Sequence, residues 1–402
     1  NNTAIGYRAL EDNTTGDKNT SVGGTALDAN TTGRLNTAVG QDALTANTTA
    51  DANTAVGQAA LFTNSTGADN TAVGTQALNL ATTASNNTAV GRSALLSNTT
   101  GNENSALGME ALKQNTTGGA NTAAGMRALE DNTTGSNSVA MGRSALAFNT
   151  TGSNNTGLGR SALRSNTTAS NNTAVGHGAL DVNTTGSALV AVGQAALNDN
   201  TTGGSNTAVG RQALRANTTS SNQTAVGFEA LANATGGSNT GLGKAAGSTI
   251  TSGTNNTCVG QSSQPSSATS NNQFTLGDSS ISNLRCNDTS ISSLSDERDK
   301  TEIIDLPIGL NFINALKPKK FKWATRDGNV KDGKYRAGFI AQDLQSLEAS
   351  TSVDYLDLVI DDNPDKLEVT EGHLFPVVIK AIQELSAKVT ALETRVAALE
   401  AA

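Results

Sequence analysis

The sequence predicts an all-β repeat solenoid, followed by a small α+β domain that ends in a coiled coil. The first observation is a phrase close to NTAVG that returns every 17 residues over most of the chain. The second is a change to an ordinary globular composition at residue 295. The third is a series of apolar residues at alternating spacings of four and three near the end. Only 3 % of the residues are aromatic, which fits a repeat fold that buries small side chains.

The repeat covers residues 1–277 and has a fixed length. The glycine that closes each phrase falls at Gly6 and then every 17 residues as far as Gly227. One step of 16 reaches Gly243, and steps of 17 then lead to Gly260 and Gly277. The consensus is N-T-A-V-G-x-x-A-L-x-x-N-T-T-G-x-x, and its 17 positions are numbered below from the first Asn. A period this short predicts one coil of a β-solenoid in each repeat, because a pair of helices would need more residues.

Within each coil we predict two short strands and two turns. The segment TAV and the segment around AL are the strand candidates, and NTTG supplies residues that tolerate positive φ. Val at position 4 and Leu at position 9 then form stacked apolar rows, with small Ala rows at positions 3 and 8. One coil cannot bury its apolar side chains alone, whereas stacked coils can. The resulting rod is thin, so we expect several chains to associate.

The remaining residues predict a connection and a separate domain. Residues 278–294 alternate apolar and polar side chains over short stretches, which predicts one or two final strands. Residues 295–402 are numerous enough to build a core. In this domain we predict helices at about 306–316 and 339–347, and strands within KFKWA, DYLDLVI and KLEVT.

The end of the chain, about 376–402, predicts a coiled coil. Its apolar residues follow the a and d positions of a heptad, which an associating helix places against its partners. The alternative is a single amphipathic helix that packs against its own domain. The seam residues are Val378, Ile382, Leu385, Val389, Leu392, Val396 and Leu399.

A serine and a lysine, Ser295 and Lys300, lie five residues apart in the charged segment SDERDK where the composition changes. A lysine that has lost its proton can take the proton of a serine, which can then attack the carbonyl carbon that precedes it. Charged surface turns often contain the same two residue types. The spacing alone therefore leaves a structural role open.

The segment SDERDK resembles the S-D-x-R-x-K signature of the endosialidase-type intramolecular chaperone, found at the end of phage tail fibres and tailspikes. The similarity continues through IIDLPIGLNFINALKPKKFKW, AGFIAQDL and LFPVVIKAIQEL. It implies that Ser295 is a nucleophile, that Lys300 is its general base, and that Asp296 and Arg298 are supporting positions of the motif. It also implies cleavage between Leu294 and Ser295. Such activity is a single self-cleavage, with no external substrate.

The repeats resemble the head repeats of YadA-like trimeric adhesins, most closely in SVAMG at residues 138–142. Those heads form left-handed parallel β-rolls packed as trimers, which implies a trimer here. Their period is about 14 residues, so the turn in this chain must be longer.

Together these features lead us to expect a homotrimeric phage tail-fibre or tailspike-like protein that attaches to a host and lies outside the cell as part of the virion. Its partners would be a host-surface glycan or protein and, through a part of the fibre preceding residue 1, other virion proteins. Two alternatives stay open: a YadA-like bacterial surface adhesin, and a solenoid whose threonine rows bind ice or another surface.

Composition limits the other classes of function. The formal net charge is -8, whereas a nucleic-acid footprint is basic and clustered. The sequence has no apolar run long enough to predict a membrane span. Cys258 and Cys286 match no metal or redox spacing, so we expect no metal and no cofactor. The roles of these cysteines and of His177 and His373 stay open.

Overall fold

A computed structural model describes residues 1–281, 283–285, 295–322, 333–365 and 367–401. The chain divides into two compact units, Asn1–Asp278 and Ser279–Ala402. Each unit has its own hydrophobic core.

The first unit is a parallel β-solenoid with one three-residue strand in each coil. Neighbouring coils pair in register, so that Thr37, Ala38 and Val39 lie opposite Thr54, Ala55 and Val56. The predicted solenoid with 17-residue coils is confirmed. The strands β1 to β17 are Thr3–Ile5, Thr20–Val22, Thr37–Val39, Thr54–Val56, Thr71–Val73, Thr88–Val90, Ser105–Leu107, Thr122–Ala124, Val139–Met141, Thr156–Leu158, Thr173–Val175, Val190–Val192, Thr207–Val209, Thr224–Val226, Thr240–Leu242, Thr257–Val259 and Phe274–Leu276.

The single step of 16 residues leaves the sheet unbroken. Thr224 pairs with Thr240 and Val226 with Leu242, in the same parallel register as every other pair of coils. The missing residue falls in the turn, where NTTG is shortened to ATG at residues 234–236. A turn on the outside of a coil can lose a residue without shifting the strands, which is why the ladder continues.

The predicted second strand around AL is wrong, because this segment forms a turn. Asp42 and Leu44, at positions 7 and 9, have φ values of 60° and 52°, whereas a strand requires negative φ. The amide of Leu44 donates to the carbonyl oxygen of Ala60 in the next coil at 3.0 Å. Left-handed backbone costs a non-glycine residue about 1–2 kcal/mol. Complete burial of the Leu44 side chain, worth about 1.5–3 kcal/mol, offsets that cost.

The glycine at position 5 is required by close packing between coils. Gly142 has a φ of 130°, and a Cβ built on it would lie 2.7 Å from the carbonyl carbon of Gly159 in the next coil. No side chain can replace it without moving the neighbouring backbone. This explains why every NTAVG-like phrase ends in glycine.

The core of the solenoid consists mainly of small side chains and a leucine at position 9, which is present in each coil from Leu10 to Leu231. Ala38, Ala43 and Leu44, at positions 3, 8 and 9, are completely buried. Because successive residues of a strand point to opposite faces, Thr37 and Val39 point away from that core. Positions 2 and 4 of all coils thus form one outward surface, here called the Thr/Val face. The leucine row is buried, whereas the valine row lies on this outer surface.

Two ladders of buried asparagines connect the coils. At position 1, the Asn19 Oδ1 accepts from the amide of Asn36, and the Asn19 Nδ2 donates to the carbonyl of Gly33. At position 12, the Asn132 Nδ2 donates to the Oδ1 of Asn115 at 2.7 Å. These amides are buried and hydrogen-bonded, so the NTT triplets serve as structural turns.

Among its described residues, the second unit forms three α-helices and two small antiparallel sheets. The strands β18 and β19 pair, as do β20 and β21. The predicted helices and strands of this domain are found with shifted boundaries, and the predicted strands at 278–294 fall largely outside the described residues. The elements are α1 (Leu310–Ala315), β18 (Lys319–Phe321), β19 (Arg336–Gly338), α2 (Ala341–Thr351), β20 (Val359–Ile360), β21 (Glu368–Val369) and α3 (Phe375–Glu400), with 3-10 turns at Glu297–Asp299, Asp354–Leu356 and Glu371–Leu374.

The first turns of α3 anchor it in this unit. Val377 and Ala381 are buried, and Val377 packs in a cluster with Phe312 of α1. The carboxylate of Glu384 accepts a hydrogen bond from the amide of Leu310 at 2.8 Å, at the start of α1. The remainder of α3 extends beyond these contacts as an exposed helix. Within the described ranges, no helix has both the length and the apolar character of a membrane span.

Candidate active site

The segment SDERDK folds into a tight turn that brings its serine and lysine together. Asp296 begins the 3-10 turn, and its Oδ1 accepts from the amide of Arg298 at 2.9 Å. The amide of Lys300 donates to the carbonyl of Glu297 at 3.1 Å, which closes the turn. As a result, the Lys300 Nζ lies 2.6 Å from the Ser295 Oγ and donates a hydrogen bond to it.

Asp296 and Arg298 support this turn and bind each other. The Arg298 Nη2 lies 2.6 Å from the Asp296 Oδ2, and the Arg298 Nε lies 3.0 Å from the Oδ1. The side-chain hydrogen bond from Arg298, together with the bond from its backbone amide, lowers the pKa of Asp296. The carboxylate therefore stays ionised while it accepts both bonds. The guanidinium is held by Asp296 and does not contact Ser295.

An apolar cleft of about 520 Å³ adjoins Lys300. Its walls include Ile303, Ile304 and Tyr355, which are exposed. Ser295 and Lys300 are exposed as well, so this single chain leaves the pair in contact with water. Sequence reasoning overlooked this cleft, although the adjacent isoleucines that follow SDERDK in the sequence gave a signal for it.

The carbonyl group that Ser295 would attack belongs to Leu294, which lies outside the described residues. The structure thus brings Ser295 into contact with Lys300, and Asp296 into contact with Arg298, within one turn.

The two histidines and Cys258 have other surroundings within their own units. The His373 Nδ1 is 2.8 Å from the carbonyl oxygen of Leu356, which gives it a structural partner. His177 is exposed on the solenoid. Cys258 is buried in the solenoid core, where desolvation raises its pKa to about 11. Cys286 is outside the described residues, among which no three His, Cys, Asp or Glu side chains are grouped to hold a metal ion.

Comparison with known protein families gives a match that starts at this serine. Residues 295–352 match the family described as chaperone of endosialidase. The resemblance predicted from SDERDK is thereby confirmed for this part of the chain. Neither the curated proteins nor the solved structures contain a match to the chain.

Proposed function

We propose that this chain is a phage tail-fibre protein that attaches to a host, and that its last part is an intramolecular chaperone which assembles the fibre and then cuts itself off. A β-solenoid joined to an endosialidase chaperone segment fits a protein of the tail-fibre kind. The observation that carries the cleavage proposal is the 2.6 Å contact between the Lys300 Nζ and the Ser295 Oγ.

In the proposed reaction, the neutral amine of Lys300 takes the proton from the Ser295 hydroxyl. The serine oxygen attacks the carbonyl carbon of Leu294, and the bond from that carbon to the Ser295 nitrogen breaks. The nitrogen takes up a proton, and an ester joins residue 294 to the serine oxygen. Water then hydrolyses the ester, which leaves a carboxylate on residue 294 and restores the hydroxyl.

Assembly would activate the pair. A lysine side chain gives up its proton more readily when it is removed from water. Because Lys300 is exposed in one chain, its desolvation requires another surface. The apolar cleft beside it, with the exposed side chains of Ile303 and Ile304, is suited to being covered by a neighbouring chain. Cleavage would then follow assembly and not precede it.

The exposed seam of α3 supports association into a trimer. Every a and d residue of the predicted heptad is exposed, including Leu385 at 50 % and Leu392 at 58 %. The buried residues of the helix, Val377 and Ala381, lie off that seam. The helix therefore uses one face for its own unit and leaves the heptad face for partner helices.

The Thr/Val face of the solenoid supports the same association. It carries an apolar side chain at position 4 in every coil, with Ile5, Leu107 and Met141 about half exposed or more. A continuous apolar row of this length normally marks an interaction surface. Because the coils are nearly identical, three chains could align one or more coils out of register. A chaperone that joins the three ends first would prevent such misalignment.

The test is a denaturing gel of the purified chain. We expect the wild type to yield two fragments, residues 1–294 and 295–402, and Ser295→Ala to remain intact. Lys300→Met should also remain intact, since it keeps a long side chain without an amine. Mass spectrometry of the smaller fragment should place its first residue at Ser295.

A matched control is Lys319→Met, which removes a lysine from the same unit far along the sequence from the pair. It should be cut as fully as the wild type. Cleavage before residue 295 in the Ser295→Ala chain would refute the assignment of the nucleophile. Light scattering of the Ser295→Ala chain should show trimers. This result would show that the variant folds and assembles and has lost only the cleavage reaction.

A further inference from the structure

Three consecutive coils present cationic or titratable side chains at position 6. They are Arg143, Arg160 and His177, all exposed, and they are called the basic row here. Hydrogen bonds hold them in register, since the amide of Ser161 donates to the Arg143 carbonyl at 3.0 Å and the amide of Gly178 to the Arg160 carbonyl at 3.1 Å. At the spacing of paired strands the row extends for about 10 Å along the solenoid.

Arg34, Arg92 and Arg127 of the solenoid each pair with a carboxylate on an adjacent coil, unlike the two arginines of the basic row. Arg92 reaches Glu110, eighteen residues further on, at 3.4 Å. The residues eighteen positions after Arg143 and Arg160 are Ser161 and Gly178, and neither carries a carboxylate. Within the described part of the chain, neither of these two guanidinium groups has an ion-pair partner.

The surroundings of the basic row strengthen this contrast. The sequence has no Asp or Glu from residue 132 to residue 180, although the whole chain has a formal net charge of -8. Like charges at the same position of neighbouring coils repel each other. The nearby Arg164 is neutralised by Asp181 at 2.9 Å, whereas the row itself is not. An anionic ligand would supply the missing counter-charge.

We propose that the basic row binds a carboxylate-bearing polysaccharide that lies along the solenoid axis. A guanidinium group binds a carboxylate through two parallel hydrogen bonds, which makes arginine suited to this ligand. A linear polymer with regularly placed carboxylates can contact stacked side chains in succession, which a single small anion cannot do. In an assembled fibre, several copies of the row would raise the overall affinity. This inference deepens the proposed host attachment and rests on it for its biological setting.

Double-stranded DNA is a poorer fit to the basic row. Strong DNA binding uses roughly 6–10 phosphate contacts, and the row offers two arginines and a histidine. A polysaccharide with spaced carboxylates needs fewer contacts and fits the row better. DNA serves as a competitor in the test.

The test measures binding of the full chain to immobilised polygalacturonate and to neutral dextran. We expect the wild type to bind polygalacturonate, with weaker binding as salt is added, and to ignore dextran. The double variant Arg143→Gln/Arg160→Gln should weaken this binding about tenfold or more. Its melting temperature should stay unchanged, because both side chains are exposed and lack ion-pair partners.

The matched control is Arg211→Gln/Arg215→Gln, which removes two exposed arginines elsewhere on the solenoid. Arg211 lies over the ring of Phe228 at 5.4 Å, and its neighbouring coils carry Asp199 and Glu229. This control should bind polygalacturonate as the wild type does. An equal loss in both double variants, no binding by the wild type, or full displacement by an equal mass of DNA would overturn the proposal. Fragments on the denaturing gel report separately on self-cleavage, so the two proposals can fail independently.

Discussion

The Nε2 of Gln223 donates a hydrogen bond to the Oδ1 of Asn217 at 2.9 Å. In other coils this oxygen accepts from the next asparagine of the position 12 ladder, which is replaced here by Ala234. Gln223 replaces an asparagine of the position 1 ladder in the same coil as Ala234. Its longer side chain reaches the acceptor that the alanine leaves open, while its own Oε1 is buried without a hydrogen-bond partner among the described residues. The substitution thus closes the gap in the position 12 ladder at the cost of an acceptor elsewhere.

The ladder has a second gap, at Ala81, and this one is not closed. The Oδ1 of Asn64 below it is buried and has no hydrogen-bond partner among the described residues. We predict that Ala81→Asn stabilises the solenoid by about 1–3 kcal/mol, because it satisfies a buried acceptor. Slower hydrogen exchange of the amides in the adjacent coils, together with a higher thermal midpoint, would show this gain.

The control for that prediction is Ala234→Asn, which fills the gap that Gln223 already closes. Because the Oδ1 of Asn217 has a partner, the new side chain should give no comparable gain. If both variants change stability equally, or if Ala81→Asn lowers it, the ladder does not act through these hydrogen bonds.

Cys258 takes the place of the buried alanine at position 3, and its side chain is completely buried. Desolvation favours the neutral thiol and raises its pKa to about 11. In a Cys286→Ser background we predict no reaction of the native chain with a disulfide reagent at about pH 8, and one thiol after unfolding. Reactivity should appear only as the pH approaches 11. Rapid reaction of the native chain near neutral pH would contradict the burial of this residue.

The period of the solenoid could be predicted because glycine and asparagine mark each coil at positions where the backbone demands them. Gly142 illustrates this, since a Cβ would meet the backbone of the next coil. The conformation of the AL segment could not be predicted in the same way. Leu44 adopts φ of 52° although leucine disfavours it, and only the stacking of coils supplies the burial that offsets the cost.

The orientation of the strand also needed the structure. In the strand TAV either the alanine or the valine can point into the core, because both arrangements satisfy the alternation of side chains along a strand. Burial of Ala38 leaves Val39 outside, because the thin core already holds the leucine of position 9 and otherwise takes mostly small side chains. The contact between Ser295 and Lys300 was easier to predict, since a short turn joins residues five apart. The apolar cleft beside them depends on Tyr355, which is far away in sequence.

The seam of α3 gives the last prediction, made in the Ser295→Ala chain so that the chaperone segment stays attached. Leu392 is 58 % exposed in one chain, and burial of such a side chain in a coiled coil is worth about 1.5–3 kcal/mol. Leu392→Asp would place a carboxylate from each chain in the seam, so we expect light scattering to show no trimer. Thr394→Asp adds the same charge on the outer side of the helix and should leave the trimer intact. Monodisperse trimers from Leu392→Asp would refute the seam, and loss of trimers from both variants would show that charge alone, and not the seam, decides assembly.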